Sequence, residues 1–146
     1  MNFFHLKTYP LEWETLDDLK NIHIGATLGY NYGESFKKAR VEGKIQVQWT
    51  SNDSYNFKKL LAKRIDIFPI ELNAGYAVIK KYLKPEDISR ITHHPHYLKK
   101  DTYHLLFSKK IKKNKKMIKL FNKGLRRLRD SGNLQKILNI PNPVKD

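Results

Sequence analysis

Short apolar runs alternate with segments of helical spacing along the first two thirds of the chain. Continuous or alternating apolar runs indicate strands, and apolar residues three or four positions apart indicate helices. The runs predict strands at Phe3–Leu6, Ile22–Ala26, Ile45–Trp49, Ile65–Phe68, Ile88–Thr92 and Thr102–Phe107. Helical spacing predicts helices at Ser35–Val41, around Phe57–Leu61 and at Leu72–Leu83, with a helical turn at Thr15–Leu19. Strands that alternate with helices over short connections favour an α/β fold, in which helices cover both faces of a parallel-type sheet.

Glycine, proline and hydroxyl residues mark the ends of these elements. Gly43 is expected to end the first helix, and Pro69 to end the strand Ile65–Phe68. The sequence His93–His96 has the look of a metal cluster, but Pro95 prevents a regular helical pair of ligands and no acid lies beside it. We therefore predict a surface turn at this position and no metal site.

The last third of the chain has the spacing of one amphipathic helix. An apolar stripe, predicted to face protein, comprises Met117, Phe121, Leu125 and Leu128. The opposite face, predicted to face water, carries Lys113, Lys116, Lys123 and Arg127. Gly132 is expected to end this helix, and a short closing helix is predicted over Leu134–Leu138.

The net charge of +15 in 146 residues raises the possibility of a nucleic-acid partner. Its distribution weakens that interpretation, because eleven of the 29 basic residues lie between Lys109 and Arg129, where there is no acid. The excess of positive charge therefore comes mainly from one helical segment with a solvated basic face. Nucleic-acid binding through this segment stays open as an alternative.

The sequence offers little for catalysis or for membrane insertion. It contains no cysteine, which excludes thiol chemistry and disulfides, and no Ser, His and Asp arrangement has a recognisable spacing. We therefore expect no enzyme activity and no cofactor. No stretch reaches the ~20 apolar residues of a membrane span, and the first ten residues do not have the pattern of a signal peptide.

A glycine-bearing loop and an acid follow two of the predicted strands. The loop Gly25–Glu34 leads from a strand into a helix, where free backbone N–H groups attract anions. Glu71 comes just after the strand Ile65–Phe68, at the position where open α/β sheets place ligand contacts. Asp66, at the start of that strand, is expected to be structural. The loop and Glu71 should thus face one cleft, although an acid at a helix start is also explained by the helix dipole alone.

An ordered set of segments resembles the family 3 solute-binding proteins, the type II periplasmic binding proteins that deliver polar amino acids to ABC transporters. These segments are Leu16–Lys20, Ile24–Gly33, Leu60–Asp66, Tyr103–Lys109 and Phe121–Leu125 with Leu128 and Ser131–Gly132. Their order and spacing carry the resemblance, which extends from Phe3 to about Leu138.

The resemblance implies a two-lobed clamp whose chain crosses twice between the lobes. Residues 1–10 are then the end of lobe one and the first crossing segment, residues 11–97 form lobe two, and residues 98–146 form the second crossing segment and the C-terminal helices of lobe one. The family's opening part, which carries the signal peptide and the arginine that holds the substrate carboxylate, has no counterpart here. The chain is therefore expected to be an N-terminally truncated form that binds weakly or not at all alone.

The family's ligand contacts fall on five residues: Thr27, Gly29, Tyr30, Asn31 and Glu71. The resemblance implies that the loop residues meet the ligand carboxylate and that Glu71 pairs with the α-amino group. It also implies an amino-acid ligand, an ABC permease as partner, a monomeric state and a periplasmic location for the intact protein. A sensor module that uses the same clamp for signalling stays open as a further alternative.

Overall fold

The computed structural model describes residues 1–100, 102 and 104–138. It divides into two compact units, Met1–Thr102 and Tyr103–Asp146. Within the described residues, the strands of the first unit form one sheet of five in the order β3-β2-β4-β1-β5. The strands are β1 Asn2–Leu6, β2 His23–Thr27, β3 Gln46–Thr50, β4 Ile67–Ile70 and β5 Ile91–Tyr97. β2 runs parallel to β3 and β4, whereas β1 is antiparallel to both of its neighbours, β4 and β5.

Helices cover both faces of this sheet, which confirms the predicted α/β class. The helices of the first unit are α1 Glu34–Val41, α2 Asp53–Leu61, α3 Leu72–Tyr82 and α4 Pro85–Ile88, and a 3-10 turn covers Leu16–Leu19. The neighbouring residues Phe3 and Phe4 are both fully buried and belong to different apolar clusters, because successive strand side chains point to opposite faces. Phe3 packs in the cluster that contains Phe36 of α1, and Phe4 in the cluster that contains Phe57 of α2 and Ile79 of α3.

Local signals account for several of the element boundaries. The side chain of Asn52 accepts a hydrogen bond from the Ser54 N–H at 2.9 Å and so caps α2. Asp18 accepts from the backbone N–H of Thr15 at 2.8 Å, which fixes the 3-10 turn. Gly43 follows α1 with φ at 71°, a backbone conformation that glycine adopts without strain.

Two proline positions differ from the sequence-based prediction. Pro69 lies inside β4, opposite Phe3 of β1, rather than after the strand. The parallel pairing with β2 is confined to Ile24 and Ile67, so no ladder bond to β2 is required of Pro69. Pro95 likewise lies within β5, so the predicted surface turn at His93–His96 is wrong. β5 is an edge strand, where a residue without an N–H is tolerated.

Two further strand predictions are corrected. The helix α4 occupies the start of the predicted strand Ile88–Thr92, because Pro85 stands at its first turn with two acids beside it. β5 therefore begins at Ile91. Thr102 and residues 104–107 are not in a strand, and Tyr103 and Asp101 lie outside the described residues.

The second unit contains two helices, α5 Asn114–Asp130 and α6 Asn133–Leu138. Gly132 separates them with φ at 70°, as the sequence predicts. The prediction that the apolar stripe of α5 faces protein is wrong for the described structure, because no residue of α5 is buried. Phe121, for example, keeps 42% of its surface exposed. Helical spacing identifies an apolar face but does not specify what covers it.

Candidate functional site

The strands β2 and β4 lie side by side and parallel, so their carboxyl ends reach the same edge of the sheet. β2 ends at Thr27 and β4 at Ile70, and the predicted loop and Glu71 follow directly. An open cleft of about 460 Å³ lies at this edge. It is lined by Met1, Gly29, Tyr30, Asn31, Ile70, Glu71, Ala74, Lys99 and Thr102. The structure thus brings four of the five predicted residues together and confirms that the loop and Glu71 share one edge.

Backbone turns shape the loop between β2 and α1. Gly29 and Gly33 have φ values of 85° and 95°, a region that disfavours residues with a Cβ atom. The side chain of Asn31 accepts a hydrogen bond from the Gly33 N–H at 2.9 Å. The Asn31 oxygen therefore stabilises the turn that leads into α1.

Glu71 is the N-cap residue of α3. Its Oε2 atom accepts a hydrogen bond from the Ala74 N–H at 2.8 Å. This arrangement realises the structural role that the sequence left open, because a carboxylate satisfies an unpaired N–H and interacts favourably with the helix dipole. A carboxylate has two oxygen atoms, so the capping role of Oε2 is compatible with a contact from Oε1 to a ligand cation.

Thr27 is the one predicted residue that does not line the cleft. It is buried, with 4% of its surface exposed, at the end of β2. Its hydroxyl donates to Oδ1 of Asp53 at 2.6 Å and accepts from the side-chain amide of Asn56 at 3.0 Å. Its backbone N–H donates to the Tyr32 hydroxyl at 2.7 Å. Thr27 therefore stabilises the loop through these hydrogen bonds and not from the cleft side.

Tyr30 stands in the wall of the cleft with 41% of its surface exposed. Its hydroxyl donates to Oδ2 of Asp53 at 2.7 Å. Burial, followed by the hydrogen bond and charge of Asp53, raises the pKa of Tyr30 to about 12. Burial also raises the pKa of Tyr32 to about 12. Both hydroxyls are thus neutral donors or acceptors at physiological pH.

The sequence reasoning missed two residues of this edge. Asp53 follows β3, a third parallel strand, and an acid beyond a strand end is a signal that resembles the one for Glu71. Lys99 also lines the cleft, and its ammonium group donates to the backbone oxygen of Asn31 at 3.5 Å. Nothing in the sequence around Lys99 marks it, because it reaches the cleft through the pairing of β5 with β1.

The described residues contain no group of three or more His, Asp or Glu side chains that is able to hold a metal ion. Among the helices of the described residues, none combines the length and the apolar character required to cross a bilayer.

No protein-family model and no curated protein matches the sequence. Solved structures do match the fold. An ancestral arginine-binding protein bound to arginine superimposes with a TM-score of 0.62 at 21% identity over 94% of this chain and 57% of the other. An amino acid ABC transporter substrate-binding protein from Streptococcus pneumoniae, bound to L-arginine, has a TM-score of 0.60 at 20% identity. The match covers 94% of this chain and 54% of the other. A mutant of ArgBP from T. maritima has a TM-score of 0.58 at 17% identity, and the match covers 90% of this chain and 52% of the other.

These matches define the fold and its extent. The chain spans little more than half of each matched structure, from 52% to 57%. Identities near 20% establish likeness of fold, and function has to be argued from the site. The chain therefore has the α/β fold of the substrate-binding proteins of amino-acid ABC transporters, as the resemblance to family 3 solute-binding proteins predicts.

Proposed function

We propose that this chain forms one lobe of a substrate-binding protein for the uptake of polar amino acids. The observation that supports the proposal is the cleft in which the loop residues Gly29–Asn31 and Glu71 lie together. One matched structure with this fold is described as an ancestral arginine-binding protein, and another as an amino acid ABC transporter substrate-binding protein. In this proposal the protein binds its ligand, delivers it to an ABC permease outside the cytoplasm, and carries out no reaction.

The charges of the cleft suit a zwitterionic ligand. Glu71 offers a carboxylate to the α-ammonium group, and charge-assisted hydrogen bonds are stronger than neutral ones. The loop lies at the start of α1, where backbone N–H groups favour anions. Lys99 adds a cation to the same wall, close to Asn31. The ligand carboxylate therefore belongs on the loop side and its ammonium group on the Glu71 side.

We further propose that a second lobe closes over this cleft. Residues 11–97 are then lobe two, and residues 1–10 and 98–146 lead to and complete the other lobe. The crossing segments also contribute Met1, Lys99 and Thr102 to the lining of the cleft. A hydrogen bond in water contributes about 1 kcal/mol net, and an exposed ion pair often less. A few such contacts reach only millimolar affinity, which corresponds to about 4 kcal/mol. The 146-residue chain alone is therefore expected to bind its ligand weakly or not at all.

Calorimetric titration of the chain with the common polar and basic amino acids tests this proposal. The expected result is millimolar or weaker binding. Micromolar binding that disappears in Glu71→Gln would show that this lobe suffices and would contradict the requirement for a second lobe. Micromolar binding that persists in Glu71→Gln would contradict the assignment of the cleft itself.

A basic nucleic-acid-binding role remains a second candidate, because α5 has basic residues in its last turn and no acid in its first turn. Affinity for random-sequence DNA that falls steeply with salt concentration would favour this role. Its absence at low salt would leave the amino-acid proposal as the only one of the two with support.

A further inference from the structure

The carboxylate of Asp53 connects two segments of the cleft edge. Asp53 is the first residue of α2, and its two oxygen atoms have separate partners. Oδ1 accepts from the Thr27 hydroxyl at 2.6 Å, and Oδ2 accepts from the Tyr30 hydroxyl at 2.7 Å. We propose that Asp53 is a positioning residue that holds Tyr30 in the wall of the cleft and thereby limits which ligand groups the loop accepts. The effect on ligand choice rests on the proposed function. The positioning of Tyr30 by Asp53 does not.

The hydrogen bonds have one consistent direction. The Thr27 hydroxyl has a single hydrogen, which it gives to Asp53, so it accepts from the side-chain amide of Asn56 at 3.0 Å. Asn56 is fully buried and lies one turn after Asp53 on α2. A Cβ atom on Gly25 would approach the Asn56 side-chain oxygen to 2.7 Å, so this amide has little space to move. The network is therefore anchored in the core and ends at the Tyr30 hydroxyl.

Charge makes the outer bonds of this network strong. Hydrogen bonds to an ionised acceptor are shorter and about twice as strong as neutral ones. Asp53 also stands at the N-terminus of α2, where the helix dipole stabilises a negative charge. The Tyr30 hydroxyl is thus bonded to a network whose inner members, Thr27 and Asn56, are buried.

The orientation of the Tyr30 hydroxyl has a consequence for ligand choice. Because its hydrogen is given to Asp53, the hydroxyl presents only an oxygen lone pair and the ring to the cleft. The Tyr30 hydroxyl is then unable to donate to the ligand carboxylate, whose partners on the loop side are the backbone N–H groups. The ligand group beside the Tyr30 side chain must be an N–H donor or an apolar chain. Tyr30 therefore selects for amino acids that place an ammonium, guanidinium or amide N–H, or a methylene chain, at this point.

The structural part is tested on the ligand-free chain, so that its failure is distinguishable from a failure of the proposed function. The variants are Asp53→Asn, Tyr30→Phe and the double variant, with Glu34→Gln as the matched control. Glu34 is also an acid at the first position of a helix, and it forms an ion pair with Lys37. Two NMR quantities are measured at neutral pH. The first is the backbone amide order parameter of each of residues 29–31. The second is the chemical shift of the Tyr30 ring carbon that bears the hydroxyl, a signal assigned by its loss in Tyr30→Phe.

The expected result is a loss of order at residues 29–31 in both single variants, no additional loss in the double variant, and a shift of the Tyr30 ring carbon in Asp53→Asn. Glu34→Gln should change neither quantity. A purely structural effect of Asp53 on α2 would leave the Tyr30 ring carbon unchanged, and that result would overturn the proposal. If Asp53→Asn fails to fold, Tyr30→Phe alone decides, because an unchanged order of residues 29–31 in that variant would also overturn it.

Discussion

The two ends of the sheet use similar polar residues in different ways. At one end, Asp66 accepts from the backbone N–H of His23 at 2.8 Å and from its imidazole at 3.1 Å. The Asp66 N–H in turn donates to the His23 backbone oxygen at 2.8 Å. This acid fastens the start of β4 to the start of β2. At the other end, Glu71 and Tyr30 line a cleft of about 460 Å³.

The difference lies in what each acid has as partners within the described residues. Asp66 bonds to another strand start and serves the sheet. Glu71 bonds to the Ala74 N–H of its own helix, three positions away, and also lines the cleft. Asp66 also lines a smaller cavity of about 140 Å³, so the two acids differ in their hydrogen-bond partners and not in exposure to open space. Asp66 joins two strands, whereas Glu71 caps its own helix.

The largest expected effect comes from the core that both ends share. Phe4 is fully buried and makes edge-to-face contacts with Phe57 at 5.4 Å and Tyr76 at 5.2 Å. Phe4→Ala should lower the free energy of unfolding by about 3–5 kcal/mol, because it leaves a cavity. Urea denaturation measures this change. Val41→Ala is the control, since Val41 is 71% exposed and should cost within about 0.5 kcal/mol. Equal stabilities of the two variants would contradict the assigned core.

Substitutions of Glu71 separate its capping role from its proposed ligand role. Glu71→Ala removes the cap of α3 and should cost about 1 kcal/mol of unfolding free energy. Glu71→Gln keeps an acceptor oxygen for the Ala74 N–H, so its stability should remain near that of the parent. Ligand binding should be lost in both variants. Denaturation and ligand titration of the same samples measure the two roles separately. Binding by Glu71→Gln that equals binding by the parent would contradict the ligand role.

Asp66→Ala provides the opposite test at the other end of the sheet. Loss of its bonds to His23 should lower the unfolding free energy by about 1 kcal/mol, because a net hydrogen bond contributes about that amount. Ligand binding at the cleft should be unaffected. The exposed Glu12→Ala variant is the control and should change neither quantity. A loss of binding in Asp66→Ala with retained structure would remove the distinction between the two ends.

Alkaline pH should weaken the cleft end by a smaller and gradual amount. The pKa of Tyr30 and of Tyr32 is raised to about 12, chiefly by burial, whereas the unfolded value is 10.0. The folded state therefore disfavours the ionised form of these tyrosines. Their contribution to the free energy of unfolding is complete below pH 10.0 and is lost as the pH rises towards about 12. Denaturation at pH values across this window should show a shallower decline in Tyr32→Phe than in the parent. Tyr55→Phe, at an exposed position, should not alter the slope.

Much of the sheet was predictable because strand patterns are local. The apolar runs that contain Phe3, Ile24 and Ile67 all became buried strands. The strand β5 was missed in part because its sequence contains Pro95 and three histidines, which do not have a strand pattern. Only its place at the sheet edge, set by pairing with the distant β1, permits a proline there.

The candidate site was predictable to the extent that it follows strand ends. Glu71 and the loop share an edge because β2 and β4 are parallel neighbours, which the alternation of strands and helices predicts. The bond between Asp53 and Tyr30 joins residues 23 positions apart and depends on how α2 packs below the loop. Lys99 depends similarly on strand pairing. The sequence thus indicated the location of the cleft but not the side chains that complete it.

Under the proposed function, the cleft end of the sheet binds an amino acid and the opposite end does not. An NMR titration of the isotope-labelled chain with millimolar L-arginine or L-glutamine tests it directly, because weak binding is visible in amide shifts. The predicted result is saturable shifts confined to residues 29–31 and 71–74, present in Asp66→Ala and abolished in Glu71→Gln. Shifts absent from these residues, or equal in the parent and Glu71→Gln, would contradict the account.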